Sequence, residues 1–460
     1  TVISIFTQLR PFEMHIRQHY LVAVLSLLTY SLPTGMYAQL NSAFGLTGGV
    51  QWASDLGAQW HSLEIHWRNV QPNVTTPVSN WNWSGIDQKV VALQSQGIGV
   101  YLTLRCANPA SNGPQSFCSA NWGANGIYDS WYPDSLQLWD AFVTEVIQRY
   151  DLSFAASHPN GMTQSVNHWH IEQEWQVNWC VDTAIYPDPD TFDIAQQYVS
   201  YVNHTYALIH TLQPSAIVSS AGIDGRLNTA AIADGYCPTD SLCINSACNG
   251  SGINFPQQFF AGPQFSRKRR NTLYILRNQT VDEVDIHRYG RWESTDTIMA
   301  YLADSSGVNS NVPVTFMEGG GPACKTCEPN YHTPSDTIGY LSAPLIRDNA
   351  SYVVYYVITG LSNNVQHLYW HASPEYATWG NEFGDMDLMT INYVKKPSYF
   401  VYRWLAKDVF SRTDANSVIR MPEPGNPQLY HYMVMPMGLH VIWSVNSNDS
   451  YQLFNNDSLY

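Results

Sequence analysis

Short apolar runs alternate with segments of helical periodicity along most of this chain. The short runs are rich in β-branched and aromatic residues and predict strands, whereas the longer segments between them predict amphipathic helices. Such an alternation is typical of βαβ units that build a parallel sheet. The predicted strands cover residues 43–48, 61–67, 99–104, 168–171, 216–221, 284–287, 312–317 and 366–370.

Helices are predicted between these strands where a capping residue precedes a periodic segment. The segment 136–150 repeats an apolar residue every fourth position, at Leu138, Phe142, Val146 and Tyr150, which predicts one face that packs on a sheet. The other predicted helices cover residues 86–96, 192–212 and 397–410, and the expected N-caps are Ser84, Asp134 and Asp190.

Eight strands with helices between them predict a (β/α)8 TIM barrel over residues 42–412. Beyond it the pattern changes to short alternating runs at 429–434 and 439–445, separated by turn residues. These runs predict a small β extension over residues 413–460. Because so short a segment is a poor independent domain, we expect it to pack on the barrel or to be a truncated β-domain.

The composition favours a folded protein with a neutral partner. Of the 460 residues, 45% are hydrophobic and 13% are charged, so the chain can bury a large core. The formal net charge of -15 disfavours nucleic acid and anionic membranes, since both would be repelled. The basic run at 267–270 is more typical of a solvated loop than of a binding patch. Oligomeric state is not fixed by these features.

An apolar run at residues 20–32 follows Arg17 and is followed by small residues up to Ala38. This pattern predicts a signal peptide over residues 14–38 that opens at Met14, with a signal anchor as the alternative. Eight cysteines and eight Asn-X-Ser/Thr sequons suit the same secretory route. We therefore expect a secreted, extracellular protein without a membrane partner after cleavage. The sequons are at Asn73, Asn82, Asn203, Asn249, Asn278, Asn349, Asn448 and Asn456.

Cysteines follow the third, fourth, fifth and seventh predicted strands, where disulfides would staple the loops. The expected local pairs are Cys106 with Cys118 and Cys324 with Cys327, although about 105 connectivities are possible for eight cysteines. The spacing of Cys324 and Cys327 also suits zinc or redox chemistry, but no second Cys/His pair has ligand spacing. The sequence therefore predicts no metal and no cofactor.

Two of the predicted strands end in carboxylates. The fourth leads into Glu172, Gln173 and Glu174, and the seventh leads into Glu318. Retaining glycosidases use two carboxyl groups about 5 to 5.5 Å apart, one as acid/base and one as nucleophile. Strands four and seven face each other across a barrel mouth, so they can supply that pair. Glu172 and Glu382 are competing candidates.

Several motifs resemble clan A glycoside hydrolases, especially families 39, 5 and 42. They are Leu56-Gly57-Ala58-Gln59-Trp60, Asn82-Trp83-Ser84-Gly85-Ile86-Asp87, Asp285-Ile286-His287-Arg288-Tyr289, Met317-Glu318-Gly319 and Lys396-Pro397-Ser398-Tyr399, in the order of the family. The resemblance implies a retaining glycosidase that cleaves β-linked O-glycosidic bonds of an oligo- or polysaccharide by double displacement. Glu174 would be the acid/base and Glu318 the nucleophile. His287 and Gln173 would bind the sugar, and Tyr289 would orient Glu318.

Two departures from the clan pattern bear on the chemistry. Gln173 stands where the clan has an Asn that binds the sugar 2-hydroxyl, and it keeps the same amide groups on a longer stem. Ser62 stands where a strand-two Arg supports the nucleophile. Arg68 or Arg105, each near a strand end, could take that place.

Aromatic residues are plentiful, with 16 tryptophans in the chain. Aromatic faces stack on sugar rings, and Trp67, Trp175 and Trp370 are the predicted stacking residues. A carbohydrate-binding pseudoenzyme on the same barrel is the alternative function. A non-glycosidic barrel enzyme would show a late phosphate-binding glycine loop or a metal cluster, and neither pattern occurs in the sequence. The sugar, the linkage and the choice of internal or terminal attack are not determined.

Overall fold

The computed structural model describes the larger part of the chain. The residues it covers are 21–24, 43–108, 132–133, 135–173, 192–220, 222–224, 271–272, 274–289, 295–296, 299, 302, 312–320, 343–371, 387–389, 393–410, 417–421, 429–435 and 437–444. Within these ranges, no helix is both long and apolar enough to cross a bilayer.

A sheet of parallel strands forms a nearly closed barrel, which confirms the predicted (β/α)8 fold. Its strand order is β6-β5-β4-β3-β2-β10-β9-β8-β7. Strands β6 and β7 are two pieces of the fifth barrel strand, because β6 pairs with β5 and β7 pairs with β8. A bridge between Ser219 and Glu283 closes the remaining seam. The strands are β2 (Phe44–Thr47), β3 (Trp60–His66), β4 (Gly99–Arg105), β5 (His168–Ile171), β6 (Ile217–Ser220), β7 (Ile223–Asp224), β8 (Val284–Tyr289), β9 (Val314–Gly320) and β10 (Leu368–His371).

Helices separate the strands, as the periodicity predicts. The described helices are α1 (Ala53–Leu56), α2 (Trp67–Val70), α3 (Ser84–Gln94), α4 (Leu136–Tyr150), α5 (Phe192–Leu212), α6 (Ala343–Ser362) and α7 (Pro397–Trp404). Helix α4 buries Trp139, Phe142 and Val146 against the barrel. Each such side chain contributes about 1.5 to 3 kcal/mol on burial.

Several helix ends differ from the sequence-based expectation. Helix α3 covers Ser84–Gln94 rather than residues 86–96, and Trp83 is its N-cap, so the predicted cap Ser84 is the first helical residue. The N-cap of α4 is Ser135 rather than Asp134, and its side chain accepts a hydrogen bond from the backbone N–H of Leu138. The α-helical part of the last helix ends at Trp404, and a wider π turn continues it over Leu405–Val409. The predicted cap Asp190 lies outside the described residues.

A separate antiparallel sheet follows the barrel, with the order β1-β13-β12-β11. It contains β11 (Val418–Met421), β12 (Leu429–Val434) and β13 (Leu439–Ser444), and it meets helix α6 where the rings of Trp443 and Tyr355 lie 4.8 Å apart. This is the predicted β extension, packed on the barrel. Its fourth strand, β1 (Leu21–Val24), pairs with β13 and falls within the predicted signal segment, so cleavage after Ala38 would remove it from the mature chain. The signal peptide and the domain limits stay predictions.

Bulky rings and one acidic side chain fill the N-terminal end of the barrel. The ring of Trp60 lies 4.6 Å from His168 and 4.9 Å from His367. Beside them, the Tyr101 hydroxyl donates to Glu283. Burial lowers the pKa of His168 to about 4 and that of His367 to about 3, so both imidazoles are neutral in the folded protein at neutral pH.

We expect His367→Gln to make the protein less sensitive to acid. The imidazole of an unfolded His has a pKa of about 6.5, so the unfolded state binds a proton below that pH. Folded His367 stays unprotonated until the pH approaches 3, so the unfolding free energy of the wild type falls over this range. Relative to wild type, the variant should gain about 2 to 3 kcal/mol of unfolding free energy between pH 7 and pH 4.5. Urea denaturation at both pH values measures this gain.

Two comparisons isolate the effect of His367. Burial raises the pKa of Glu283 to about 7, which has the opposite pH dependence, but Glu283 is present in both proteins and drops out of the difference. His204→Gln, at a half-exposed position on α5, is the control for removing a histidine, and its pH-dependent gain should be smaller than that of His367→Gln because water still reaches its imidazole. A stability difference between His367→Gln and wild type that stays constant with pH would contradict the prediction.

Candidate active site

A β-bulge at the C-terminal end of β9 presents Glu318. Asp285 pairs with Thr315 and His287 pairs with Glu318, so β9 carries one more residue than β8 between these pairs. The backbone N–H of Met317 donates to Asp285 Oδ1 at 2.8 Å, and its carbonyl accepts from Thr47 Oγ1 at 3.0 Å. Because side chains satisfy both backbone groups of the bulge, Met317 can face the barrel interior while Glu318 reaches the mouth.

The Glu318 carboxylate is buried, with 6% of the residue exposed, and two other strand ends approach it. Gln173, which follows β5, donates from Nε2 to Glu318 Oε2 at 2.5 Å. His287 on β8 places Nδ1 3.6 Å from the same oxygen. The fourth, sixth and seventh barrel strands therefore converge on one carboxylate at the end of the barrel where (β/α)8 enzymes carry their chemistry.

Arg105, at the end of β4, fixes the orientation of the Gln173 amide. Its Nη1 donates to Gln173 Oε1 at 2.9 Å and to Glu64 Oε1 at 3.2 Å. Because the guanidinium can only donate, Oε1 must face Arg105 and Nε2 must face Glu318. Arg105 thus acts on Glu318 through Gln173. This indirect contact partly compensates for Ser62, which stands where the clan has an arginine.

Beneath the mouth, Asp285 lies between two histidines. Its Oδ2 is 3.0 Å from His170 Nε2 and 3.2 Å from His287 Nε2. Burial alone would raise the pKa of Asp285, but the charge of His287 and the hydrogen bond from His170 hold the pKa at about 2. The carboxylate is therefore ionised at every working pH.

Two predicted stacking residues lie in the core instead of the cleft, and the structure corrects these assignments. Trp67 is fully buried at the start of α2, where its ring packs 5.7 Å from Trp139 and its Nε1 donates to Gln71. Trp370 is fully buried on β10 and meets the ring of Tyr356 at 5.6 Å. Both side chains point to the outer face of the sheet, so neither offers a ring to a sugar.

Glu172, a competing candidate, is held away from the mouth. It is fully buried with a left-handed φ of 66°. Its Oε1 accepts the backbone N–H of Cys106 at 2.5 Å, and its Oε2 lies 3.6 Å from Arg105 Nε. A carboxylate so enclosed has a structural role.

Other predicted site residues lie outside the described part of the structure. Glu174, Trp175 and Glu382 are among them, and so are Cys118 and the pair Cys324 and Cys327. Tyr289 ends β8 and pairs with Gly320, but its side chain is not described. The assignments of these residues stay predictions.

The roles of Asp285, His170 and Glu64 were not predicted from the sequence. A signal was available for one of them, because Glu283, directly before β8, alternates with Asp285 and His287, and alternate residues share one face of a strand. A polar stripe inside a barrel points to a functional network, and this pattern could have been read from the sequence.

No protein-family model matches the chain, and no curated protein sequence matches it. The comparison with solved structures does find similar proteins. A family 39 glycoside hydrolase from the gut symbiont Bacteroides cellulosilyticus WH2 is similar over 88% of this chain and 71% of its own, with a TM-score of 0.51 and 12% identity. A glucosidase from Croceicoccus marinus is similar over 88% of this chain and 76% of its own, with a TM-score of 0.51 and 10% identity.

The fold is that of a glycoside hydrolase barrel. Family 39 is one of the three families that the sequence motifs resemble. At 10% and 12% identity the likeness establishes the fold, and the chemistry has to be argued from this chain's own residues.

Proposed function

We propose that this protein is a secreted retaining glycoside hydrolase with Glu318 as nucleophile and Glu174 as acid/base. The observation that carries the proposal is the convergence of Gln173 and His287 on the buried Glu318 carboxylate. A nucleophilic carboxylate must stay ionised and point at the anomeric carbon, and an amide donor with an adjacent imidazole serves both needs.

Glu174 follows Gln173 directly, so the acid/base assignment gains support from the position of its neighbour. Gln173 ends the fourth barrel strand and reaches Glu318 on the seventh. In the proposed mechanism, Glu174 would supply the second carboxyl group that acts at the same anomeric centre. In the glycosylation step Glu174 would protonate the leaving oxygen, and in the second step it would activate water.

The proposed substrate is a β-linked oligo- or polysaccharide. The structurally similar proteins include a glucosidase and a family 39 glycoside hydrolase, which makes a glycoside the natural substrate class. The net charge of -15 favours a neutral sugar over an acidic polymer.

Secretion is part of the proposal and has modest support from the sequons. Asn73, Asn82 and Asn278 are exposed, as an N-glycan requires. Asn349 is fully buried in α6, so this sequon cannot carry a glycan in the folded protein. Peptide mapping without reduction should find most cysteines oxidised if the chain takes the secretory route.

A carbohydrate-binding pseudoenzyme is the second candidate. Ser62 in place of the usual arginine favours it, because the nucleophile then lacks a direct guanidinium partner at that position. The burial of Trp67 and Trp370 reduces the aromatic surface that a binding protein would need, which argues the other way.

A mechanism-based label separates the two candidates. An activated 2-deoxy-2-fluoro glycoside reacts with a catalytic nucleophile to form a glycosyl-enzyme. Because this intermediate is hydrolysed slowly, the sugar stays covalently bound to the nucleophile. We expect intact-mass analysis to show one added sugar and peptide mapping to place it on Glu318. Binding of the same compound without covalent addition would identify a pseudoenzyme, and a label on another carboxylate would move the nucleophile.

A further inference from the structure

The buried acid Asp285 touches both the backbone and the imidazole that surround Glu318. Its Oδ1 accepts the N–H of Met317, the bulged residue directly before Glu318. Its Oδ2 faces the Nε2 atoms of His287 and His170. One carboxylate therefore acts on Glu318 through two separate paths.

The partners of His287 determine its protonation state. Nε2 lies 3.2 Å from Asp285 Oδ2, and Nδ1 lies 3.6 Å from Glu318 Oε2. A neutral imidazole would turn a lone pair toward one of these carboxylates, whereas an imidazolium presents N–H to both. His287 is therefore protonated, and its positive charge lies between two negative ones.

His170 contacts Asp285 from the neighbouring strand β5. Its Nε2 lies 3.0 Å from Asp285 Oδ2, and its Nδ1 lies 3.4 Å from Thr103 Oγ1. His170 therefore helps to fix the orientation of the Asp285 carboxylate.

We propose that Asp285 is a positioning residue of the Glu318 site, which anchors the bulge that presents Glu318 and keeps His287 protonated beside it. The proposal rests on the function proposed above and adds the source of positive charge that Ser62 does not supply. An imidazolium 3.6 Å from Glu318 favours its ionised form, as an arginine would.

Close packing holds this arrangement in place. A Cβ atom on Gly222, between β6 and β7, would lie 2.0 Å from His287 Nε2 and 2.4 Å from Asp285 Oδ2. Glycine therefore lets the backbone pass in direct contact with this pair, and the side chain of any larger residue would displace His287 or Asp285. Such close contact keeps water from screening the two charges.

Besides the two histidines, the described titratable groups that face Asp285 are acids, so none of them can supply the positive charge that His287 carries. Burial raises the pKa of each nearby tyrosine well above its ordinary value, and that of Glu283 to about 7. The tyrosines are therefore neutral at working pH. These groups are Tyr101 on β4, Tyr356 on α6, Tyr369 on β10 and Glu283 beside β8.

Asp285→Asn tests the charge while keeping an acceptor for Met317. The Asn carbonyl can still take the bulge N–H, but its amide cannot stabilise an imidazolium. We expect the acid limb of the kcat/KM profile to move up by about one pH unit or more, because Glu318 loses its neighbouring positive charge. Thr47→Val removes the other bulge anchor but no charge, so it should lower kcat without moving that limb. Asp140→Asn, in a surface His-Asp pair on α4, should change neither.

A second measurement needs neither substrate nor a folded variant of Asp285. Nitrogen-15 spectra of labelled histidine should show both ring nitrogens of His287 protonated at pH 7 in wild type, with the signal assigned by its loss in His287→Gln. A neutral His287 at pH 6, or a folded Asp285→Asn with an unmoved acid limb, would overturn the proposal. Since ring titration is independent of turnover, a failed charge network is distinguishable from a failed catalytic assignment, which the fluoro-sugar label decides.

Discussion

Replacing Glu318 by alanine should abolish glycoside hydrolysis. The side chain is buried at the barrel mouth and held by Gln173 and His287, and alanine removes the carboxylate that the proposed mechanism uses to attack the anomeric carbon. We expect kcat/KM to fall by about 10⁴-fold or more, as for loss of other essential nucleophiles. Initial rates with an activated aryl β-glycoside measure this loss.

Added azide makes the test specific for a nucleophile. Azide can occupy the space left by the carboxylate and attack from that face, giving a glycosyl azide of inverted configuration that NMR identifies. Glu145→Ala, on the outer helix α4, is the matched control and should keep wild-type rates. Near-normal activity of Glu318→Ala would make Glu318 structural and turn attention to Glu382.

Replacing Glu174 by alanine should produce a loss that depends on the leaving group. A poor leaving group needs a proton as the glycosidic bond breaks, and general acid catalysis supplies about 10² to 10⁴-fold. An activated aryl group leaves almost unaided. We therefore expect glycosylation of Glu318 to slow by about 10³-fold for unactivated substrates and by less than about tenfold for activated ones.

Pre-steady-state rates with the two substrate types separate the glycosylation step. The alkaline limb of the pH profile should also disappear in Glu174→Ala, since that limb reports ionisation of the acid. With azide, this variant should give a glycosyl azide of retained configuration, because azide then attacks the glycosyl-enzyme. Equal losses for both substrate types would show that Glu174 is not the acid.

The proposed positioning role of Asp285 changes how the departures from the clan pattern are understood. Ser62 removes an arginine from strand two, yet His287 and Arg105 both place positive charge near Glu318, one directly and one through Gln173. The site is then a rearranged version of a working nucleophile pocket. The pseudoenzyme alternative depends on that charge being absent.

The sequence by itself determined the barrel. Apolar runs of four to seven residues alternate with amphipathic helices. This periodicity is a local property of the chain, so one sequence is enough to detect it. The sequence also predicted that Glu318 lies at a strand end, where such a barrel carries its chemistry, and the structure places it there; its role as nucleophile stays a prediction. Helix α4 and strand β5 were predicted with the ends that the structure shows.

Only the tertiary structure decided which side of each strand a residue faces. Trp67 and Trp370 have the right chemistry for stacking on a sugar, but Trp67 starts helix α2 and Trp370 faces helix α6 from β10, so both rings pack in the core. The bulge at Met317 is the converse case, since one extra residue brings Glu318 to the mouth. Asp285 links β5, β8 and β9 through contacts with His170, 115 positions away, and Met317, 32 positions away, and such long-range contacts have no local signature in the sequence. The sequence pattern therefore determined the scaffold and pointed to Glu318 as the candidate nucleophile, whereas the side chains that surround Glu318 were brought together by long-range packing.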